Sequence, residues 1–166
     1  MPNKINISDA IIKELINSAD NTRKNAYAPY SHFKVGAALY AAKDEENFDI
    51  ITGCNVENAS YPAGNCAERT AVFKAVSEGY NNFKAIAIIG GYDEKMIQHN
   101  ASNNQSDTSY ASEKYTSPCG ICRQVLREFV APNNFYVIMA KNENDYVIKT
   151  LEELLPMSFG PESLEK

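Results

Sequence analysis

The chain is poor in the residues that mark several common classes of protein. Lysine and arginine together number 16 against 21 aspartates and glutamates, so the net charge is −5 and the pI is near 5.1. A protein that binds polynucleotides needs a basic surface to neutralise phosphates, so this balance argues against that class. Only two histidines are present, His32 and His99, and neither has the spacing of a metal ligand.

Long apolar segments are missing as well. No stretch approaches the run of about 20 apolar residues that a membrane helix needs, so no membrane association is expected. Residues 1–5 lack the apolar core of a signal peptide, and we therefore expect a cytoplasmic protein. In that reducing compartment, the four cysteines are better interpreted as metal ligands or buried thiols than as disulfides.

The residues that are present indicate one globular domain over residues 1–166, of which 44% are apolar and 10% aromatic. Ser8 can cap a first helix, a second is predicted over 66–78 with Val72, Ala75 and Val76 facing the core, and a third follows Pro118. Thr150 and Glu153 form the capping box of a short fourth helix. Strands are predicted over 33–41, 48–54, 83–90, 135–140 and 146–149. Five strands alternating with helices favour a three-layer α/β/α sandwich.

One segment, 96–115, has a different character. It is polar and rich in asparagine and serine, and its apolar residues show no period, so it is predicted to be a long loop. It is interpreted as an insertion tolerated at the surface. Because it leads the chain to Cys119, it could instead lie over the mouth of a functional site.

Three cysteines indicate a metal site. Cys66 and Cys119 each begin a predicted helix, where backbone N–H groups and the helix dipole favour a thiolate, and Cys122 lies one turn beyond Cys119. Three thiolates leave one position of a tetrahedral zinc ion open, which is typical of catalytic sites. Glu68 lies two residues after Cys66, where it can act as a general base beside the metal without binding it.

Two alternatives to this zinc site remain open at this point. The pair Cys119 and Cys122 alone could be a redox dithiol, although such motifs do not come with a distant Cys-Ala-Glu segment. Cys54 could be a fourth ligand that closes a structural zinc site, or it could be a small buried residue at a strand end.

These residues also carry a resemblance to a known family. A ligand-x-Glu segment followed much later by Pro-Cys-x-x-Cys is the signature of zinc nucleobase deaminases. Together with three further motifs, it makes the chain resemble the small, homotetrameric cytidine deaminases whose zinc ligands are three cysteines. The motifs are YSHFKVGAA at 30–38, GCNVENA at 53–59, NCAER at 65–69 with SPCGIC at 117–122, and ELLP at 153–156.

The resemblance implies a five-stranded mixed sheet, one Zn²⁺ per subunit and a homotetramer with shared active sites. It implies that Glu68 transfers protons, that Ala67 and Cys119 contact the base through their backbone, and that Arg69 offsets the negative charge of the three thiolates. Phe33 would pack on the pyrimidine, and Asn55 with Glu57 would hold the ribose 3′-hydroxyl. Ala59, Tyr61 and Phe159 occupy positions that reach a neighbouring subunit's pocket.

The expected reaction is hydrolysis of cytidine or deoxycytidine to the uracil nucleoside and ammonia. A deaminase of a modified or antibiotic nucleoside, of the blasticidin type, is the nearest alternative, and Glu57 argues against it. A tRNA adenosine deaminase normally has histidine in place of Cys66 and a basic surface. A non-catalytic binding module stabilised by zinc would need no general base at Glu68. The acidic composition favours a free nucleoside over a nucleic acid.

Overall fold

The computed structural model describes residues 7–44, 47–92 and 114–164. Five strands form a mixed sheet in the order β2-β1-β3-β4-β5. β3 and β4 are parallel, and every other neighbouring pair is antiparallel. The strands are β1 (Phe33–Ala42), β2 (Phe48–Cys54), β3 (Asn82–Tyr92), β4 (Tyr136–Asn142) and β5 (Asp145–Thr150).

Helix α1 (Asp9–Arg23) covers one face of the sheet. The Ser8 side chain caps it by accepting a hydrogen bond from the Ile11 N–H. Its apolar stripe packs on small side chains of β1, β3 and β4, which lets the helix approach closely. At Gly36 the approach is closest, since a Cβ there would lie 1.9 Å from the Ala19 carbonyl oxygen. The stripe consists of Ile12, Leu15, Ile16 and Ala19.

Three helices lie on the opposite face, so the predicted three-layer α/β/α sandwich is confirmed. They are α2 (Ala67–Ser77), α3 (Gly120–Phe129) and α4 (Leu151–Leu154). Their buried residues share one core with the other side of the sheet. Gly53 of β2 brings α2 against the sheet, because a Cβ there would lie 2.4 Å from the Ala71 amide nitrogen.

Most of the predicted boundaries agree with the structure within two residues. Gly79 ends α2 with φ +88°, and Thr150 with Glu153 forms the expected capping box of α4. The prediction for Val76 is wrong, since 42% of it is exposed. The face of α2 toward the sheet is narrow and is filled by alanines and Val72, so Val76 falls outside it. Of the segment 96–115, the part up to residue 113 lies outside the described residues.

Candidate active site

Three cysteine sulfurs meet where α2 and α3 begin. Cys66 is the N-cap of α2, Cys119 is the N-cap of α3, and Cys122 lies in the first turn of α3. The Sγ atoms of Cys66 and Cys119 are 4.0 Å apart, and those of Cys119 and Cys122 are 3.5 Å apart. All three lie within 4.8 Å of one another. Zn–S bonds of about 2.3 Å in a tetrahedron place sulfurs about 3.8 Å apart, so the three sulfurs fit zinc.

Cys54 is not a member of this group within the described part of the chain. It is the last residue of β2, and burial raises the pKa of its thiol above the usual value. Its thiol lies outside the group of three sulfurs, and the residue is half-buried rather than fully buried. Its position favours a small residue at a strand end over a fourth ligand.

The thiols of Cys66 and Cys122 share a hydrogen bond that shifts their pKa values in opposite directions. This bond, with smaller contributions from Arg69 and Cys119, lowers the pKa of Cys66 to about 5 against the opposing effect of burial. The pKa of Cys122 is raised, because it donates its hydrogen to Cys66 and is itself buried. Cys66 is thus a thiolate at neutral pH, and a bound dication would displace the proton that Cys122 holds.

Arg69 places a positive charge beside this thiolate. Its Nη2 atom donates to the Sγ of Cys66 at 3.7 Å and to the carbonyl oxygen of Gly64 at 3.5 Å. Its Nε atom is buried and has no hydrogen-bond partner within the described residues. A cation in the first turn of a helix opposes the helix dipole, so this position is explained by the sulfur that it contacts.

Glu68 is a buried carboxyl group in the first turn of α2. Only 4% of the residue is exposed. Burial raises the pKa of Glu68, and the negative charge of Cys66 raises it further. A carboxyl group whose pKa is moved toward neutrality can both accept and return a proton, which suits a general acid-base catalyst.

A cavity of about 430 Å³ opens beside the sulfur group. Its size is that of a small-molecule site. Predicted site residues in its lining are Asn55, Glu57, Tyr61, Cys66 and Arg69. The other lining residues are Tyr30, Ser31, Val56, Asn58, Gly64 and Asn65.

The backbone between β2 and α2 holds the polar lining next to Cys66. Val56 pairs with Asn65 through two hydrogen bonds of 2.9 Å. On its other side, the Glu57 N–H donates to the Tyr27 carbonyl at 2.8 Å. These backbone hydrogen bonds fix the positions of Asn55 and Glu57 relative to Asn65, the residue that precedes Cys66.

The side chains of Asn55 and Glu57 both bind the segment that leads into β1. Asn55 accepts a hydrogen bond from the Val35 N–H at 2.8 Å and donates to the Phe33 carbonyl at 2.9 Å. Glu57 accepts from the N–H groups of Tyr30 and Ser31 and from the Ser31 hydroxyl. Burial would raise the pKa of Glu57, but these hydrogen bonds outweigh it and lower the pKa below the usual value.

The remaining predicted residues lie at different depths. Ala67 is fully buried as the first residue of α2, and Phe33 packs edge-on against Tyr92 where β1 begins and β3 ends. Tyr61 is 77% exposed and Phe159 is 60% exposed, and Ala59 is exposed too. Tyr61 lines the cavity of this chain, whereas Ala59 and Phe159 are not in its lining, and the expectation that the three residues reach a neighbouring subunit stays a prediction.

Two lining residues, Tyr30 and Ser31, were not singled out from the sequence. They belong to the motif at 30–38, but no spacing rule links them to Glu57, which lies 26 and 27 residues further along the chain. Only the fold brings the two segments together. The hydroxyl group of Ser31, inside that motif, was the signal from which a contact with a carboxylate could have been predicted.

Comparison with known proteins places this arrangement in a family. A sequence model described as the cytidine and deoxycytidylate deaminase zinc-binding region matches residues 10–139. A cytidine deaminase of Sporosarcina psychrophila is 40% identical over 153 residues, which cover 92% of this chain and 94% of that protein. The chain belongs to the cytidine deaminase family.

The family assignment extends to the fold. A crystal structure of cytidine deaminase from Burkholderia pseudomallei superposes with a TM-score of 0.68 and 40% identity, covering 88% of this chain and 97% of that one. A blasticidin-S deaminase of Bacillus cereus is 30% identical over 147 residues, 88% of this chain and 90% of that protein. The cofactor is Zn²⁺, because the matching family model describes a zinc-binding region and the three sulfurs form a group that can hold a metal ion.

Proposed function

We propose that the protein is a zinc-dependent hydrolase that converts cytidine and 2′-deoxycytidine to uridine and 2′-deoxyuridine with release of ammonia. The observation that carries this proposal is the buried Glu68 carboxyl group two residues from Cys66, a cysteine that lines the cavity. Relatives named cytidine deaminase at 40% identity support the choice of substrate. The blasticidin-S deaminase is less similar, at 30%.

In this proposal, Cys66, Cys119 and Cys122 hold one zinc ion per subunit. The ion supplies Lewis acidity that brings the pKa of water toward about 7. Glu68 takes a proton from a water molecule and delivers it to N3 of the pyrimidine ring, while the oxygen of that water bonds to C4. Glu68 then moves the remaining proton of that oxygen to the amino group, which leaves C4 as ammonia. Arg69 offsets the negative charge of the three thiolates, and backbone groups of Ala67 and Cys119 orient the base.

We expect the sugar to be recognised by the hydrogen-bonding positions of Asn55 and Glu57 that the described part of the protein does not use. Within the described residues, three of the four acceptor positions of Glu57 are occupied, which leaves one on Oε1. Asn55 Nδ2 donates one hydrogen to the Phe33 carbonyl, and no other described residue accepts its second hydrogen. A single hydroxyl can donate to the carboxylate and accept from the amide. Cytidine and 2′-deoxycytidine both offer such a group at the 3′ position, so both are expected to be substrates.

The assembly is part of the proposal. We infer a cytoplasmic homotetramer that serves pyrimidine salvage, in which Ala59, Tyr61 and Phe159 contribute to a neighbouring subunit's pocket and Phe33 packs on the base. The exposure of Tyr61 and Phe159 in one subunit supports this. Among the described residues no helix is long and apolar enough to cross a membrane. The net charge of −5 argues against a polynucleotide substrate.

The decisive experiment measures uridine and ammonia formed from cytidine by the purified protein, together with its zinc content. Removing the metal with a chelator should abolish turnover, and adding back one equivalent of Zn²⁺ per subunit should restore it. Turnover of blasticidin S but not of cytidine would select the antibiotic deaminase. Bound zinc with no release of ammonia from either compound would identify a structural zinc protein.

A further inference from the structure

The hydroxyl of Ser31 lies between two groups that the proposed function assigns to the substrate. Its Oγ atom contacts Oε1 of Glu57, and it accepts a hydrogen bond of 3.0 Å from the N–H of Phe33. Ser31 also lines the cavity. The Ser31 side chain therefore connects the Glu57 carboxylate, which is proposed to bind the sugar, to the backbone of Phe33, which is proposed to pack on the base.

The direction of these hydrogen bonds is fixed by chemistry. A hydroxyl has one hydrogen to donate, and an ionised carboxylate can only accept. The Phe33 N–H can only donate, so the Ser31 oxygen must accept from it and must direct its own hydrogen to Glu57. Ser31 therefore cannot turn its hydroxyl away from the carboxylate without losing one of the two bonds.

This geometry fixes how Glu57 presents its free acceptor. The N–H groups of Tyr30 and Ser31 both donate to Oε2, at 2.9 and 3.2 Å. By themselves, these two bonds would leave the carboxylate free to rotate about that oxygen. The hydroxyl holds the second oxygen, Oε1, which carries the one acceptor position that the other described residues leave open. The next residue, His32, has φ +56°, a conformation that costs energy in residues other than glycine and is often found at functional sites.

We propose that Ser31 is a positioning residue for substrate recognition, which aims Oε1 of Glu57 at the sugar hydroxyl. This inference rests on the proposed function, since it assumes a nucleoside in the cavity. In this role Ser31 takes part in recognising the sugar and makes no contact with the reacting atoms. Its effect is therefore expected in KM rather than in kcat.

The test compares Ser31→Ala with Ser31→Thr, which keeps a hydroxyl, on cytidine and on 3′-deoxycytidine. For Ser31→Ala we expect kcat/KM on cytidine to fall about tenfold, mostly through KM, because a hydrogen bond to a charged group is lost. On 3′-deoxycytidine the loss should be less than about threefold, since the hydroxyl that Glu57 serves is already missing. Ser31→Thr should stay within about threefold of the wild type on both substrates.

Ser77→Ala is the matched control, because Ser77 is also an exposed serine and, in the described part of the chain, its hydroxyl bonds only the Lys74 carbonyl at the far end of α2. Equal losses on the two substrates would overturn the proposal, since Ser31 would then act through Phe33 or through folding. An unchanged Ser31→Ala enzyme, or equal losses in the Ala and Thr variants, would overturn it too. Failure of the wild type to turn over cytidine would instead refute the proposed function.

Discussion

Glu68 is the one buried carboxyl group among the described residues. It lies in the first turn of a helix, where the dipole would favour its ionised form, yet burial and the neighbouring Cys66 charge raise its pKa. A merely structural residue at a helix start has no need to be buried beside a thiolate. The combination supports the proposed transfer of protons to and from a substrate by Glu68.

Glu68→Gln tests this role directly. The amide has the same shape and can donate a hydrogen bond, but it cannot take up and return a proton. We expect cytidine turnover to fall by a factor of about 10²–10⁴, the usual contribution of general acid-base catalysis. Nucleoside binding, measured by calorimetry, and zinc content should stay close to those of the wild type. Retention of more than a tenth of the activity would contradict the role assigned to Glu68.

At the scale of elements, α3 is tied to the C-terminal segment by one buried arginine. Arg127 is 5% exposed, donates to Ser158 Oγ at 2.9 Å and forms an ion pair with Glu162. Gly160 crosses directly over the guanidinium group, where a Cβ would lie 2.2 Å from Nη2. Phe159 lies inside this loop, and its carbonyl accepts a further bond from Gln124 of α3. Helix α3, whose N-cap is Cys119, therefore also holds the segment that carries Phe159.

Arg127→Met should lower the free energy of unfolding by about 2–3 kcal/mol, because the buried hydrogen bonds are lost while the partly exposed Glu162 regains water. Urea denaturation would measure this change. Lys149→Met is the control: Lys149 and Glu153 form an exposed pair at 2.8 Å, and such pairs contribute less than about 1 kcal/mol. Equal losses in the two variants would show that Arg127 contributes no more than a surface ion pair.

The elements themselves were largely predictable because their signals are local. Caps such as Ser8 and Thr150, the glycine that ends α2 and the apolar runs of the strands each depend on a few neighbouring residues. The arrangement of the cavity was less accessible. The bonds from Glu57 to Tyr30 and Ser31 join segments 26 and 27 residues apart, and the Arg127–Glu162 pair spans 35. Such contacts depend on how β1, β2 and α3 are packed, which no local pattern specifies.

The three-cysteine group was predictable in spite of a separation of 53 residues between Cys66 and Cys119. Its residues are chemically unusual, and both helix starts were identified from the sequence. The ligand roles themselves and the substrate contacts remain predictions. Val76 shows the limit of periodicity, since a pattern identifies an apolar stripe but not how wide a face the sheet will cover.

At the scale of the whole molecule, the single chain leaves several large apolar side chains of the described residues in water. Two of them, Tyr61 and Phe159, are site residues by the family resemblance, and Tyr61 also lines the cavity. Their exposure is what the proposed contact with a neighbouring subunit needs. The most exposed are Tyr61, Ile121, Met157, Phe159 and Leu164.

A homotetramer would have a mass of about 74 kDa, four times 18.4 kDa, by light scattering. Sharing of the sites can be tested by complementation, with Glu68→Gln subunits and Phe159→Ala subunits co-expressed and purified through two different tags. Neither variant alone should be fully active. In a mixed tetramer, Phe159 of one subunit can complete the pocket that holds Glu68 of its neighbour. Random assortment then restores about a quarter of the sites.

The matched control mixes Glu68→Gln with Glu68→Ala subunits, which lack the same residue and cannot complement each other wherever Phe159 acts. Recovery in the first mixture but not in the second would place Phe159 at the pocket of a neighbouring subunit. If neither mixture recovers activity although both assemble as tetramers, Phe159 acts only within its own subunit. Its exposure would then have to be explained by contact with the substrate itself. A fully active monomer would exclude shared sites altogether.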